Sequence, residues 1–237
     1  GTVDDLNTNT SVAQTSYVLS TDGAAPVIAS AIYLDTDENG TVDRVDVTYS
    51  EDISASSTYD AGDWSFSAVV TESTGAISGT DVQIDVTGAP SNSTALSSFT
   101  VQYTNNSGNI VDGVPNTAVT SSTVTVDDGA APIIIAATTF DFDLNGNIDS
   151  IGITLSEPIV DGFTLDGSTF DLASPYDDNN PTAVTASSSD DEFVGITFDE
   201  ESGPDTEATP NVILNSGIIV DGSSNSIGSN QTFTGTV

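Results

Sequence analysis

Two stretches of this 237-residue chain place oxygen-bearing side chains at a spacing that suits a hard cation. The first runs Asp35-Thr36-Asp37-Glu38-Asn39-Gly40-Thr41-Val42-Asp43 and the second Asp141-Phe142-Asp143-Leu144-Asn145-Gly146-Asn147-Ile148-Asp149. Carboxylates or amides at loop positions 1, 3 and 5, a glycine at 6 for a sharp turn, a carbonyl from 7 and a carboxylate at 9 can wrap an ion that takes about six to eight oxygens. The expected ligands are Asp35, Asp37, Asn39, the carbonyl of Thr41 and Asp43, then Asp141, Asp143, Asn145, the carbonyl of Asn147 and Asp149. A flexible all-oxygen loop favours Ca2+ over Mg2+, which keeps its waters and a tight octahedron. Asn39-Gly40 and Asn145-Gly146 are also strong turn formers by themselves, so a plain polar hairpin competes with the metal loop. A turn, however, has no use for three surrounding carboxylates that repel one another.

The rest of the composition closes off other chemistries. There are 36 Asp plus Glu against one basic side chain, Arg44, for a formal charge of −35, with no Cys, Met, His or Lys. Without Cys and His there is no disulfide, thiolate zinc site, imidazole base or Ser-His-Asp triad. Without Lys there is no Schiff base, P-loop lysine or Lys-Asn isopeptide crosslink. A polyanion such as nucleic acid would be repelled, because phosphate binding depends on clustered Lys and Arg. An anionic membrane surface is disfavoured for the same reason, and no apolar run approaches the ~18 residues of a membrane span. The acids fall in turns repeated along the chain, which suits structural ligation better than one catalytic cleft, so no enzymatic activity is expected.

The two loops belong to a longer internal repeat. Ala24-Ala25-Pro26-Val27-Ile28 returns as Ala130-Ala131-Pro132-Ile133-Ile134, and Thr48-Tyr49-Ser50-Glu51 as Thr154-Leu155-Ser156-Glu157, all at the loops' own offset of 106 residues. That period is a domain length, so two tandem domains are expected at 23–128 and 129–237. Val111-Asp112-Gly113 is matched by Val220-Asp221-Gly222 and loosely by Val3-Asp4-Asp5. Residues 1–22 therefore resemble the last hairpin of a preceding repeat, as in a window on a longer array. The rival is a spare N-terminal strand, residues 8–20, that pairs with a neighbouring subunit of a filament.

Period-two alternation sets the secondary structure: Val45, Val47 and Tyr49 fall on one strand face, as do Ile151, Ile153 and Leu155. Further short runs lie at Trp64 to Val70, Val82 to Val86, Phe99 to Tyr103, Val119 to Val126, Phe193 to Phe198 and Val212 to Leu214. No helical period competes with them. About seven strands per hundred-residue unit makes the expected fold all-β, two tandem immunoglobulin-like β-sandwich domains. The aromatic core candidates are Trp64, Phe66, Phe163, Phe170 and Phe198, and no aromatic platform for a sugar stands out.

The loops depart from an EF-hand: position 12 holds Asp46 or Gly152 in place of a bidentate Glu, and the flanks alternate as strands. They resemble instead the calcium loops between adjacent strands of integrin α-subunit propellers, where the position-9 carboxylate closes the site. The longer run Asp-x-Asn-Gly-x-[Val/Ile]-Asp-x-[Val/Ile]-x-[Val/Ile]-Thr-x-Ser-Glu resembles the first hairpin of immunoglobulin-like repeats in large bacterial and archaeal surface proteins, adhesins and surface-layer proteins. That resemblance covers about a fifth of each unit. It implies an extracellular, cell-surface protein whose work is spacing, rigidity and display, with neighbouring repeats or subunits as partners and a surface glycan or protein as a further one.

A softer expectation concerns the junctions. Asp127 and Asp128, with Asp22 upstream, lie in short linkers where Asp112 of the preceding domain could meet them around a bridging cation. Glu51 and Glu157 either complete the loop sites or face solvent. The acidic stretches Asp177-Asp178, Asp190-Asp191-Glu192 and Asp199-Glu200-Glu201, present in the second unit alone, read as solvated loops or additional weak cation sites. The leading expectation for function is a calcium-stabilised structural segment; the alternatives are a filament subunit and a carbohydrate-binding adhesive module.

Overall fold

A computed structural model of the chain describes residues 20–67, 70–160, 169–173, 176, 183–186 (backbone only) and 191–234. Residues 1–19, Phe163, Asp177, Asp178 and Asp190 lie outside the described residues. The described chain is all-β, with several sheets and a 3-10 turn at Ala61–Asp63. No described helix is long and apolar enough to cross a membrane.

The first repeat contributes β1 (Ile28–Leu34), β2 (Arg44–Tyr49), β3 (Trp64–Phe66), β4 (Thr71–Ser78), β5 (Asp81–Thr87), β6 (Thr100–Tyr103), β7 (Val124–Thr125) and β8 (Asp127–Asp128). They form a five-stranded sheet, β4-β5-β2-β1-β8, and a three-stranded sheet, β3-β6-β7. The second repeat contributes β9 (Ile134–Phe140), β10 (Ser150–Leu155), β11 (Phe170–Leu172), β12 (Ala183–Ala186), β13 (Phe193–Thr197), β14 (Val212–Leu214) and β15 (Gln231–Phe233), arranged as β12-β13-β10-β9 and β11-β14-β15. The strand orders coincide, β1 with β9 through β7 with β15.

Side chains from both sheets of a repeat enter one core, the packing of a β-sandwich. In the first repeat Val45, Val47, Val82 and Ile84 from one sheet join Trp64, Val101 and Tyr103 from the other. In the second, Ile151, Ile153, Val194 and Ile196 meet Phe170, Leu172, Val212 and Leu214. Trp64, Phe170 and Phe198 are core residues as expected, and Phe66 packs partly buried against its core. β4 carries no apolar alternation because it is an edge strand with mostly exposed side chains, so nothing in its composition marks it. The run from Val119 to Val126 yields only the two-residue β7.

Strand β8 decides how the repeats are joined. The linker pairs parallel to β1, Asp127 beside Ile32 and Asp128 beside Tyr33, so it is a strand of the first repeat's sheet. Gly129 then passes so close to β1 that a Cβ there would lie 2.4 Å from Cδ1 of Ile32. The chain leaves this strand directly into Pro132 and β9.

Candidate metal centres

Each loop joins two antiparallel strands, β1 to β2 and β9 to β10, and folds its own acids inward. In the first, Asp35 accepts from the backbone N–H of Asn39 (3.1 Å) and of Gly40 (2.7 Å), while Asp43 accepts from the N–H of Thr36 (3.0 Å). The second repeats this: Asp141 accepts from Asn145 (3.2 Å) and Gly146 (2.9 Å), and Asp149 from Phe142 (3.0 Å). Asp35, Asp37 and Asp43 bring carboxylate oxygens within 4.8 Å of one another, and so do Asp141, Asp143 and Asp149. An Asn-Gly hairpin turn needs positive φ at both residues. Here the left-handed residues are Glu38 and Gly40 (54° and 81°), and Leu144 and Gly146 (60° and 98°), so the loop is not that turn.

The second loop fits a cation on a further count, whereas in the first both Asp43 oxygens accept from Thr36 Oγ1. Asp149 Oδ1 and Asn147 Oδ1 are inaccessible to solvent yet have no hydrogen-bond partner. The amides of Asn39 and Asn145 donate to Asp37 (2.9 Å) and Asp143 (3.0 Å), placing N–H dipoles where positive charge belongs. Rotation of either amide would present its oxygen instead. Burial raises the pKa of Asp35; the Gly40 and Asn39 amides oppose the shift and the neighbouring Asp37 adds to it. Glu200 reaches the second loop from outside the motif and accepts from Asn145 Nδ2 at 2.9 Å.

A second pair of acidic clusters lies at the start of each repeat. Asp22, Glu51 and Asp112 converge in the first, and Asp128, Glu157 and Asp221 in the second, again with oxygens within 4.8 Å. Asp112 accepts from the N–H groups of Val114 and Asn116 (both 2.8 Å) and from Asn116 Nδ2 (2.7 Å). Asp221 does the same with Ser223 and Asn225. Asp22 and Asp128 each cap the backbone two residues on, at Ala24 and Ala130. Of the residues expected to meet at the junctions, Asp112 lies with Asp22 and Glu51, whereas Asp128, in a strand of the first repeat's sheet, lies with Glu157 and Asp221 of the second repeat. Glu51 and Glu157 belong to these clusters and not to the loops. Asp127 joins neither, since its strand pairing turns it to the exposed side.

The cluster of the second repeat is covered by the first. Thr94, fully buried, donates from Oγ1 to Glu157 Oε1 at 2.7 Å, and its N–H donates to the Ser156 carbonyl at 3.1 Å. The preceding Ser93 holds loop one through a bond from its N–H to the Gly40 carbonyl (2.8 Å). Gly40 itself is buried, and a Cβ there would sit 3.0 Å from Cγ2 of Ile135. Burial pushes the Glu157 carboxyl up to about 8; the Thr94 bond opposes the shift, and repulsion from Asp128 and Asp221 adds to it. Asp128 is raised too, by burial first. At Asp112 burial works against ionisation, but the hydrogen bonds from Asn116 and Val114 outweigh it and hold the pKa low.

Comparison with known proteins finds no matching family model and no curated relative. Two site residues escaped the spacing argument. Asp221 was visible in principle, since the Val-Asp-Gly match already equated it with Asp112. Glu200 was visible only as part of an acidic stretch, because the tertiary path of its loop is what brings it to Asn145. The structure also shows exposed aromatics that composition alone does not reveal: Phe142 (68% exposed) and Phe140 (41%) stack with parallel rings at 5.4 Å.

Proposed function

We propose that this chain is a calcium-stabilised structural segment of an extracellular, cell-surface assembly, built from two tandem immunoglobulin-like domains that space and rigidify. The recurrence of the same two three-carboxylate clusters in both repeats carries this conclusion. Together they hold twelve acids. The one basic side chain, Arg44, is engaged by Asp46 at 2.8 Å, so no Lys or Arg neutralises any of them. Clustered carboxylates without a counter-charge oppose compaction, and a cation held only by the folded state reverses that effect. The gain is RT ln(1 + [L]/Kd), about 3–4 kcal/mol per site at 100 to 1,000 times Kd.

The test is a calcium titration followed by mass spectrometry of the native complex, with thermal melting in parallel. Binding of four ions per chain and a large rise in Tm are expected; the D43A/D149A double variant keeps the two sites at the repeat starts and loses the loop contribution. An unchanged wild-type Tm between millimolar calcium and chelator would sink the proposal.

A second reading, an adhesive module that stacks sugar rings, draws support from the exposed Phe140–Phe142 pair beside the second loop. Glycan-array binding that F142A abolishes without moving Tm would favour it.

A further inference from the structure

The two repeats meet through two different surfaces, and each surface occurs once in either repeat. One is the starting pole, Pro132, Ile133, Ser156 and Glu157 in the second repeat. The other is the loop pole, Gly40, Ser93 and Thr94 in the first. The same starting pole exists, already built, in the first repeat: Ser50 Oγ accepts from the N–H of Val27 (3.2 Å) just as Ser156 Oγ accepts from that of Ile133 (3.1 Å). Its carboxylate cluster has the same members at the same places. Only the covering differs. Ile133 is 2% exposed and Val27 51%; Ser156 and Ala130 are buried, whereas Ser50 and Ala24 are exposed.

The loop pole is duplicated as well. Asp205 N–H donates to the Gly146 carbonyl at 2.9 Å, the bond that Ser93 makes to Gly40, so the residue after it, Thr206, stands where Thr94 stands. Thr94 is fully buried against Glu157, while Thr206 is exposed. Among the described residues a Cβ on Gly146 would meet only Pro204, at 3.8 Å, where one on Gly40 would meet Ile133 and Ile135 of the second repeat besides Asn92.

We infer that the bare starting pole of the first repeat receives the bare loop pole of the second repeat from another copy of this chain, with Thr206 of one copy on Glu51 and Ser50 of the next. The contact continues the interface already made inside the chain. It joins two different surfaces, so it propagates head to tail and does not stop at a pair. Two features set its strength. The inner junction is tethered, with an effective concentration on the order of millimolar, and the free contact lacks that advantage. Glu207 also replaces Ala95 beside the incoming threonine, adding a negative charge opposite Glu51. Association is therefore weak at low concentration and promoted by divalent cations, resting in that respect on the calcium reading above.

Sedimentation of the full chain across a concentration series, in calcium and in chelator, tests this together with V27D, which alters the starting pole, and T206F, which is too bulky for the slot Thr94 fills. Wild type should assemble with rising concentration. Each variant alone should stay monomeric with an unchanged melting temperature. A mixture of the two should stop at one-to-one dimers, because each supplies the pole the other lacks. Wild type that remains monomeric at about millimolar concentration in calcium overturns the inference, as does assembly indifferent to both substitutions. Loss of assembly on deleting residues 1–19, with V27D and T206F unaffected, would overturn it in favour of strand exchange. Assembly that is equal in chelator leaves the docking intact and counts against the calcium reading alone, whereas a calcium-raised Tm without assembly does the reverse.

Discussion

Glu51 and Glu157 are the same residue at the same point of the repeat, and their difference shows what surroundings do to one side chain. Glu157 is 3% exposed beneath Thr94, whereas Glu51 keeps partial contact with solvent. Replacing Glu157 by Gln removes a carboxyl that, without a cation, must either take up a proton or be buried as a charge repelled by Asp128 and Asp221. In chelator E157Q should therefore melt above wild type, and in saturating calcium below it, because a ligand is gone; melts under both conditions check the reversal. Glu72 offers a pH test away from the clusters. Burial, then Asp60 and Asp63, push its carboxyl up to about 7, well above the unfolded value of about 4.3. A folded-state pKa that is raised means a stability contribution fully present below about pH 4.3 and lost as pH rises through about 7. E72Q should match wild type at pH 4 and exceed it in Tm at pH 8, and a constant difference across that range would contradict the assignment.

At the scale of elements, the loop glycines separate backbone strain from docking. Gly40 and Gly146 both have positive φ, so alanine costs about 1–2 kcal/mol at either from the left-handed conformation alone. Only at Gly40 would the new Cβ also press on Ile135, at 3.0 Å. G40A should thus destabilise more than G146A in chemical denaturation, the surplus measuring the junction. Thr94 gives the complementary measurement. T94V keeps the backbone bond to Ser156 but leaves Glu157 Oε1 without its donor, a loss of about 1–3 kcal/mol for a buried polar group. Faster hydrogen exchange at the Thr94 amide would register the loosened contact, while unaltered exchange would mean that packing by Ile133 and Ile135 suffices.

For the whole molecule, the −35 charge makes the folded state sensitive to anything that screens or binds. Monovalent salt shortens the Debye length from about 30 Å at 0.01 M to about 3 Å at 1 M. In chelator, Tm should climb over that range; with calcium bound the climb should shrink, because the closest carboxylates are already neutralised. Equal salt slopes with and without calcium would place the repulsion elsewhere on the surface. The linker strand β8 adds a mechanical consequence: since it is hydrogen-bonded into the first repeat's sheet, the joint between repeats has little free chain in which to bend.

The two loops, the 106-residue repeat, the all-β character and most of the strands were legible in the residues, because side-chain alternation and ligand spacing are local properties of a chain. Edge strand β4 was not, since an exposed strand has no apolar face to announce it. Grouping Asp22 with Glu51 and Asp112, and Asp128 with Glu157 and Asp221, depended on segments roughly 30 and 60 residues apart folding onto one pole. That pole's burial in one repeat and exposure in the other is invisible to any repeat-based reading, which assigns equivalent residues equivalent surroundings. Local pattern determines which side chains can ligate and which strands form; only the packing of one repeat against the next decides which of those carboxylates leave water.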